Sequence, residues 1–184
     1  MTVPEYQIEI AAAHAPDDVA AVRDLIEEYQ RSLGIDLGFQ GFDDELARLT
    51  EVYGPPGGAL FLARLHGQPV GCVGVRRLDE ATCEMKRLYV RPVGRGCGLG
   101  RRLAVTAMAF GRAAGYAAMR LDTLPAMREA QALYERLGFV EVAPYRTNPV
   151  PGARFLEARL QAAAISGTTS PLRTSAPDYP ERRS

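Results

Sequence analysis

The sequence has no tryptophan, one lysine and two histidines in 184 residues, and it has no run of about eighteen apolar residues of the kind a membrane-spanning helix needs. Membrane insertion is therefore not expected. Met1–Glu9 lacks the basic and apolar regions of a signal peptide, so a cytoplasmic location is expected. Cysteine is sparse: Cys72, Cys83 and Cys97 are odd in number and lack metal-ligand spacing, which reads as reduced thiols with no bound metal. His14 and His66 fall in expected loops and are weak acid–base candidates. The most local absence is that of acids: from Met85 to Leu121 there is no Asp or Glu.

What is present is a globular composition, 47% hydrophobic, in a length that suits one domain with a substantial core. The formal net charge is zero, yet residues 1–84 carry −9, residues 85–121 carry +8 and residues 122–184 carry +1. The eight cations of the middle segment surround Arg95-Gly96-Cys97-Gly98-Leu99-Gly100-Arg101-Arg102. Glycines permit a tight turn and close backbone approach to a ligand. A helix expected over Gly100–Ala114 would place its unpaired N–H groups and positive dipole end at that turn. Such an arrangement binds phosphate. A nucleic-acid partner is not expected, because no aromatic platform, helix-turn-helix or zinc-finger spacing accompanies the basic segment.

The element order reads as mixed α and β. Strands are expected at Gln7–Ala12, Ala59–Leu65, Val70–Arg76, Thr82–Val90, Ala117–Thr123, Val140–Val142 and Arg154–Leu160. A first helix capped by Asp17 or Asp18 should run to Leu33, and a second should span Phe42–Val52. A last helix, Met127–Leu137, should end at Gly138. A single domain is expected over residues 1–164, with residues 165–184 a disordered tail rich in Ser, Thr, Pro and charge.

The glycine loop does not fit the Walker A pattern, nor Gly-x-Gly-x-x-Gly, since starts at Gly94, Gly96 and Gly98 end on Leu99, Arg101 and Leu103. It does fit Arg-x-x-Gly-x-Gly at Arg95, Gly98 and Gly100, after the strand Leu88-Tyr89-Val90 and before Ala132-Leu133-Tyr134-Glu135-Arg136-Leu137-Gly138-Phe139. Together these motifs resemble the GCN5-related N-acetyltransferase superfamily over roughly Ala59–Leu160. The resemblance implies a single-domain α/β (α+β) fold, a mixed and mostly antiparallel sheet flanked by helices. It implies acetyl-coenzyme A as co-substrate. The diphosphate would meet backbone N–H groups of Gly96, Cys97, Gly98, Leu99, Gly100 and Arg101, with Arg95, Arg101 and Arg102 adding charge, and pantetheine would lie along Leu88 and Val90.

Two side chains are expected to carry the chemistry. The resemblance places Tyr134 where a hydroxyl stabilises or protonates the departing thiolate. Glu84, four residues before Leu88, stands where related enzymes have a base that deprotonates the amine. Met127 departs from the Asn common at its position. The expected function is direct acetyl transfer to a primary amine, on a small molecule or a peptide, in a ternary complex; a non-catalytic acyl-coenzyme A sensor is the alternative. Homodimerisation is compatible with the resemblance. The acceptor side is expected to be built from Tyr29–Phe42, with Asp36, and from Pro144–Gly152, and to favour a cationic amine; Arg146 would instead suit a carboxylate.

Overall fold

A computed structural model describes residues 7–34 and 41–160. The order is β1 (Ile8–Ala12), α1 (Pro16–Leu33), α2 (Phe42–Ala47), α3 (Leu49–Val52), β2 (Ala59–Leu65), β3 (Gln68–Arg77), β4 (Thr82–Val90), α4 (Leu99–Ala113), β5 (Ala118–Thr123), α5 (Arg128–Arg136), β6 (Val140–Val142) and β7 (Arg154–Arg159). The strands form one seven-stranded sheet in the order β1-β2-β3-β4-β5-β7-β6. Only β4 and β5 run parallel, and every other pair is antiparallel, as the mixed sheet was expected to be. A parallel pair needs a crossover, and α4 supplies it. Asp36 and residues 165–184 lie outside the described residues. Among the described residues no helix is long and apolar enough to cross a membrane, and no cluster of three metal-ligating side chains occurs.

Period-two alternation divides the core between the two sheet faces. Val73, Val75, Cys83, Met85, Met119 and Leu121 face α4, whose Leu99, Leu103, Ala107 and Met108 close over them. The opposite face holds Leu60, Leu62 and Cys72 against Val22, Leu25 and Ile26 of α1, with Phe42, Leu49 and Tyr53. The first helix begins earlier than its acids suggested. Pro16 occupies its first turn, Ala15 is the N-cap with no side-chain bond, and Asp17 and Asp18 fall inside the first turn. Proline's fixed φ starts the helix, and the two acids complement the dipole instead of capping it.

The helix expected over Phe42–Val52 breaks at Arg48, where φ is −125°. In one continuous helix Glu45 and Tyr53 would stand about 12 Å apart along the axis. The break brings the Tyr53 hydroxyl to 2.6 Å from Glu45 Oε1. The Tyr53 ring then lies so close to Gly74 that a Cβ there would sit 2.5 Å from Cε1. Glu45 also accepts two bonds from Arg87, at 2.8 and 2.9 Å, and both side chains are buried. Burial pulls the Glu45 carboxyl upward, but the bonds and charge of Arg87 overcome it and hold it below its ordinary 4.5.

Removing one member of a buried pair leaves the other charge stranded, at a cost of about 3–5 kcal/mol. Glu45→Ala should therefore destabilise the fold by about 3 kcal/mol near neutral pH, read by urea denaturation. Because the folded carboxyl is depressed, this contribution is present above pH 4.5 and drains away as the solution is made more acid. A loss below about 1 kcal/mol would show that the pair is not what fixes α2 to β4.

Candidate active site

The site begins where two strands separate. Pairing between β4 and β5 runs Thr82–Ala118, Cys83–Met119 and Glu84–Arg120, and then stops. Just beyond, β4 carries a bulge against β3: Cys72 pairs with Tyr89 and Gly74 with Lys86, so Arg87 and Leu88 oppose Val73 alone. Arg87 takes the left-handed conformation, φ 59°. An extra residue bends a strand and increases its twist. The bend carries the end of β4 away from β5, and the two-carboxylate-bond pairing with Glu45 holds Arg87 in its strained conformation.

A groove of about 730 Å³ fills the gap, lined by Leu88 and Val90 of β4, the glycine loop, the start of α4 and one side of α5. Gly98 is the N-cap of α4 at φ 76°, and nothing lies within 4 Å of the place a Cβ would occupy at Gly96 or Gly98. The first bond of the helix is Arg102 N–H to Gly98 O at 3.1 Å, so the N–H groups of Leu99, Gly100 and Arg101 have no intrahelical acceptor. The structure brings Leu88, Val90, Arg95, Gly96, Gly98, Leu99, Gly100 and Arg101 to this groove. Cys97 and Arg102 are not among its lining: the Cys97 thiol turns to Gly94 O at 3.1 Å, and Arg102 is exposed. Arg95 lines the groove while its Nε donates to Val90 O at 3.1 Å. Arg128 and Arg136 of α5 add two cations that sequence spacing did not single out.

At its inner end the groove meets a much smaller cavity of about 40 Å³. Tyr29, Leu33, Leu88 and Met127 line both, and Lys86, Asp122 and Tyr134 line the inner one. Tyr134 is buried, its ring 5.8 Å from that of Phe139. Burial first, then Tyr29 and Asp122, push its phenol well above the ordinary range, so it keeps its proton at every physiological pH. Burial likewise pushes Tyr29 up to about 12. Met127 receives the hydroxyls of Tyr29 at 3.8 Å and Thr123 at 3.9 Å on its sulfur, joining α1, β5 and α5. Lys86 is buried, and that burial, with the charges of Arg87, Arg146 and Arg76, brings it down to about 7 despite the opposing effect of Glu84.

Glu84, Lys86, Arg120 and Asp122 share the sheet face opposite α4. Glu84 is fully buried, and its Oε2 accepts Arg76 Nε at 2.8 Å and Nη2 at 2.7 Å. Its Oε1 accepts the Tyr145 hydroxyl at 2.9 Å and faces Arg146 at 3.2 Å. It does not line the inner cavity. Arg146 also bonds Asp122 Oδ1, and Asn148 donates to Asp122 Oδ2 at 2.9 Å. The guanidinium groups of Arg120 and Arg146 lie 5.3 and 5.9 Å from the centre of the Tyr145 ring, which packs edge-on against Phe155. The proline-rich loop between β6 and β7 is thereby fastened to β4 and β5. Of the acids beside the expected acceptor segment, Glu28 is paired with Arg91 at 2.5 Å and Asp43 and Asp44 are exposed, while Asp36 lies outside the described residues.

Comparison with known proteins agrees with this geometry. The profile of the acetyltransferase (GNAT) family matches residues 20–139. An uncharacterized N-acetyltransferase of Schizosaccharomyces pombe is 42% identical over 151 residues, covering 81% of this chain and 93% of that protein. Among solved structures, a GNAT-family acetyltransferase from Staphylococcus aureus superposes with a TM-score of 0.70 at 23% identity, over 84% of this chain and 99% of that one. A GNAT-family acetyltransferase from Elizabethkingia anophelis with acetyl-CoA bound gives 0.57 at 19% identity, over 83% and 97%. The two motifs around Gly98 and Tyr134, the split sheet between them and the extent of these matches lead to one conclusion: the chain belongs to the acetyltransferase (GNAT) family and is an acyltransferase.

Proposed function

We propose that the chain transfers the acetyl group of acetyl-coenzyme A to a primary amine by direct attack while both substrates are bound. The observation that carries this reading is the junction of groove and inner cavity, which share Tyr29, Leu33, Leu88 and Met127. The groove suits a molecule with a diphosphate at one end: a helix N-terminus, open space beside two glycines and four lining arginines stand there. The acetyl-CoA bound in the Elizabethkingia neighbour supports the same ligand. The unpaired stretch of β4 suits its amide-bearing arm. Its thioester end would then reach the junction, where Tyr134 supplies a protonated hydroxyl for the charge that develops on sulfur. An amine in the inner cavity would approach the thioester carbonyl from the side that Tyr29, Leu33, Leu88 and Met127 share with the groove. Coenzyme A supplies only the activated acetyl group; binding, orientation and proton handling fall to this chain.

Initial-rate measurements over a panel of amino acids, polyamines, aminoglycosides and peptide N-termini test the proposal. For any amine that is turned over, double-reciprocal plots against the two substrates should intersect. Parallel lines would point to an acetylated enzyme and overturn direct attack. Acetyl-coenzyme A binding without transfer to any amine would leave a sensor in place of an enzyme.

A further inference from the structure

Resting on that acetyl-transfer reading, we propose that Glu84 is a positioning residue for the amine and not its base: it holds the β6–β7 loop on the sheet through Tyr145 and Arg146 and, through Arg146, steadies Asp122 in the wall of the inner cavity. Glu84 belongs first to the sheet. Arg76 of β3 pairs with Glu84 of β4, Glu84 with Arg120 of β5, and Arg120 with Glu157 of β7. Four residues of alternating charge therefore stand in one row on one face. Side-chain bonds tie both ends of the row: Arg76 Nη2 is 2.7 Å from Glu84 Oε2, and Arg120 Nε donates to Glu157 Oε2 at 2.7 Å. Opposite charges directly across neighbouring strands stabilise a sheet.

The β6–β7 loop lands on this row by its side chains. Pro144, Pro149 and Pro151 have no N–H to offer. The Tyr145 hydroxyl donates to Glu84 Oε1 at 2.9 Å, while its ring packs against Arg120 and Phe155. Arg146 Nη2 lies 3.2 Å from the same Glu84 oxygen and also bonds Asp122 Oδ1. One guanidinium nitrogen thus links Glu84 to a carboxylate that lines the inner cavity. Asn148 of the same loop holds Asp122 Oδ2 at 2.9 Å.

A base must present an oxygen to the amine that it deprotonates. The Glu84 side chain is 0% exposed and does not line the inner cavity. Its Oε2 meets Nε and Nη2 of Arg76, and its Oε1 meets Tyr145 and Arg146. A carboxylate accepts about four hydrogen bonds, and these four donor atoms take them up. Loss of Glu84 would release Tyr145 and Arg146 together, and with them one of the supports of Asp122. The groove that suits coenzyme A takes none of its lining from this loop, so the effect falls on the amine.

The test is a double-mutant cycle of Tyr145→Phe and Glu84→Met, run on the amine that the wild type acetylates best, from pH 6 to pH 9. Tyr145→Phe keeps the ring and removes the hydroxyl that bonds Glu84. It should raise the KM for the amine about fivefold, with kcat and the calorimetric affinity for coenzyme A within about twofold of wild type. Glu84→Met keeps the length of the side chain without its acceptor oxygens. It should raise the same KM about tenfold or more, by a factor that does not change with pH. The double variant should fall within about twofold of Glu84→Met, because the bond that Tyr145 loses is already gone. Glu84→Gln, the gentler replacement, supplies the pH comparison should Glu84→Met fail to fold. A Glu84 deficit that shrinks about tenfold per pH unit, as the amine loses its proton in solution, is the mark of a lost base and overturns the proposal. So do losses that multiply in the double variant, a loss confined to kcat, or a Tyr145→Phe protein with wild-type KM for the amine. A wild type inactive on every amine overturns the acetyl-transfer reading and the role of Glu84 with it.

Discussion

Gly100→Glu is expected to abolish acetyl-coenzyme A binding while the chain keeps its fold. Gly100 lines the groove in the first turn of α4, and a Cβ there meets only Leu133 at 3.9 Å and Val90 at 4.0 Å, ordinary contact distances. A carboxylate at a helix N-terminus is also favourable to the helix itself. The fold therefore has no reason to suffer. The ligand does, because the new anion enters the space where its diphosphate would sit. Two like charges about 4 Å apart at a partly screened surface repel by about 4 kcal/mol, which is roughly a thousandfold in affinity. Gly98→Glu is the less clean variant, since φ at Gly98 is 76° and a left-handed non-glycine residue costs about 1–2 kcal/mol on its own. Calorimetry beside a thermal melt decides the matter. Undiminished affinity in a folded Gly100→Glu protein would remove the diphosphate from the loop.

Tyr134→Phe should lower kcat by about 10²-fold or more and leave coenzyme A affinity nearly unchanged. The ring contact with Phe139 survives the substitution, so packing is preserved and only the hydroxyl is lost. Burial holds that phenol so firmly protonated that its first service is a hydrogen bond to the developing thiolate. The deficit should accordingly ease with acyl donors whose thiol is a better leaving group. An unchanged kcat in rapid-quench experiments, where chemistry is observed directly, would return Tyr134 to a packing role.

The glycine loop, the strand before it and Tyr134 were legible in the sequence because each depends on residues adjacent in the chain. Spacing alone identifies a turn, a helix start and a helix face. The boundaries that shifted did so for tertiary reasons. Arg48 interrupts a helical pattern so that Tyr53 can reach Glu45, and no local signal at Arg48 announces a bond between two residues eight apart on either side of it. Asp122, Lys86 and Arg146 were harder still. Their meeting depends on where β4 stops pairing with β5 and on a loop returning from β6, separations of 24 residues and more. The spacing that nominated Glu84 placed it on β4, but spacing carries no information about the arginines that the fold gathers around it. Arg128 and Arg136 were visible only as charges on an amphipathic helix until the sheet opened beside them.

The bulge at Arg87 and Leu88 sets the width of the opening by counting, independently of the side chains that line it. Two residues of β4 stand against one of β3, so the strand ends one backbone unit out of phase with the sheet it began in. Substitution changes what a position carries but not how many positions there are. The lining, at Leu88 or Met127, can therefore change while the slot itself stays put. Closing it would take a deletion, a rarer event than a point change, and one that would reverse every side chain from there to Val90.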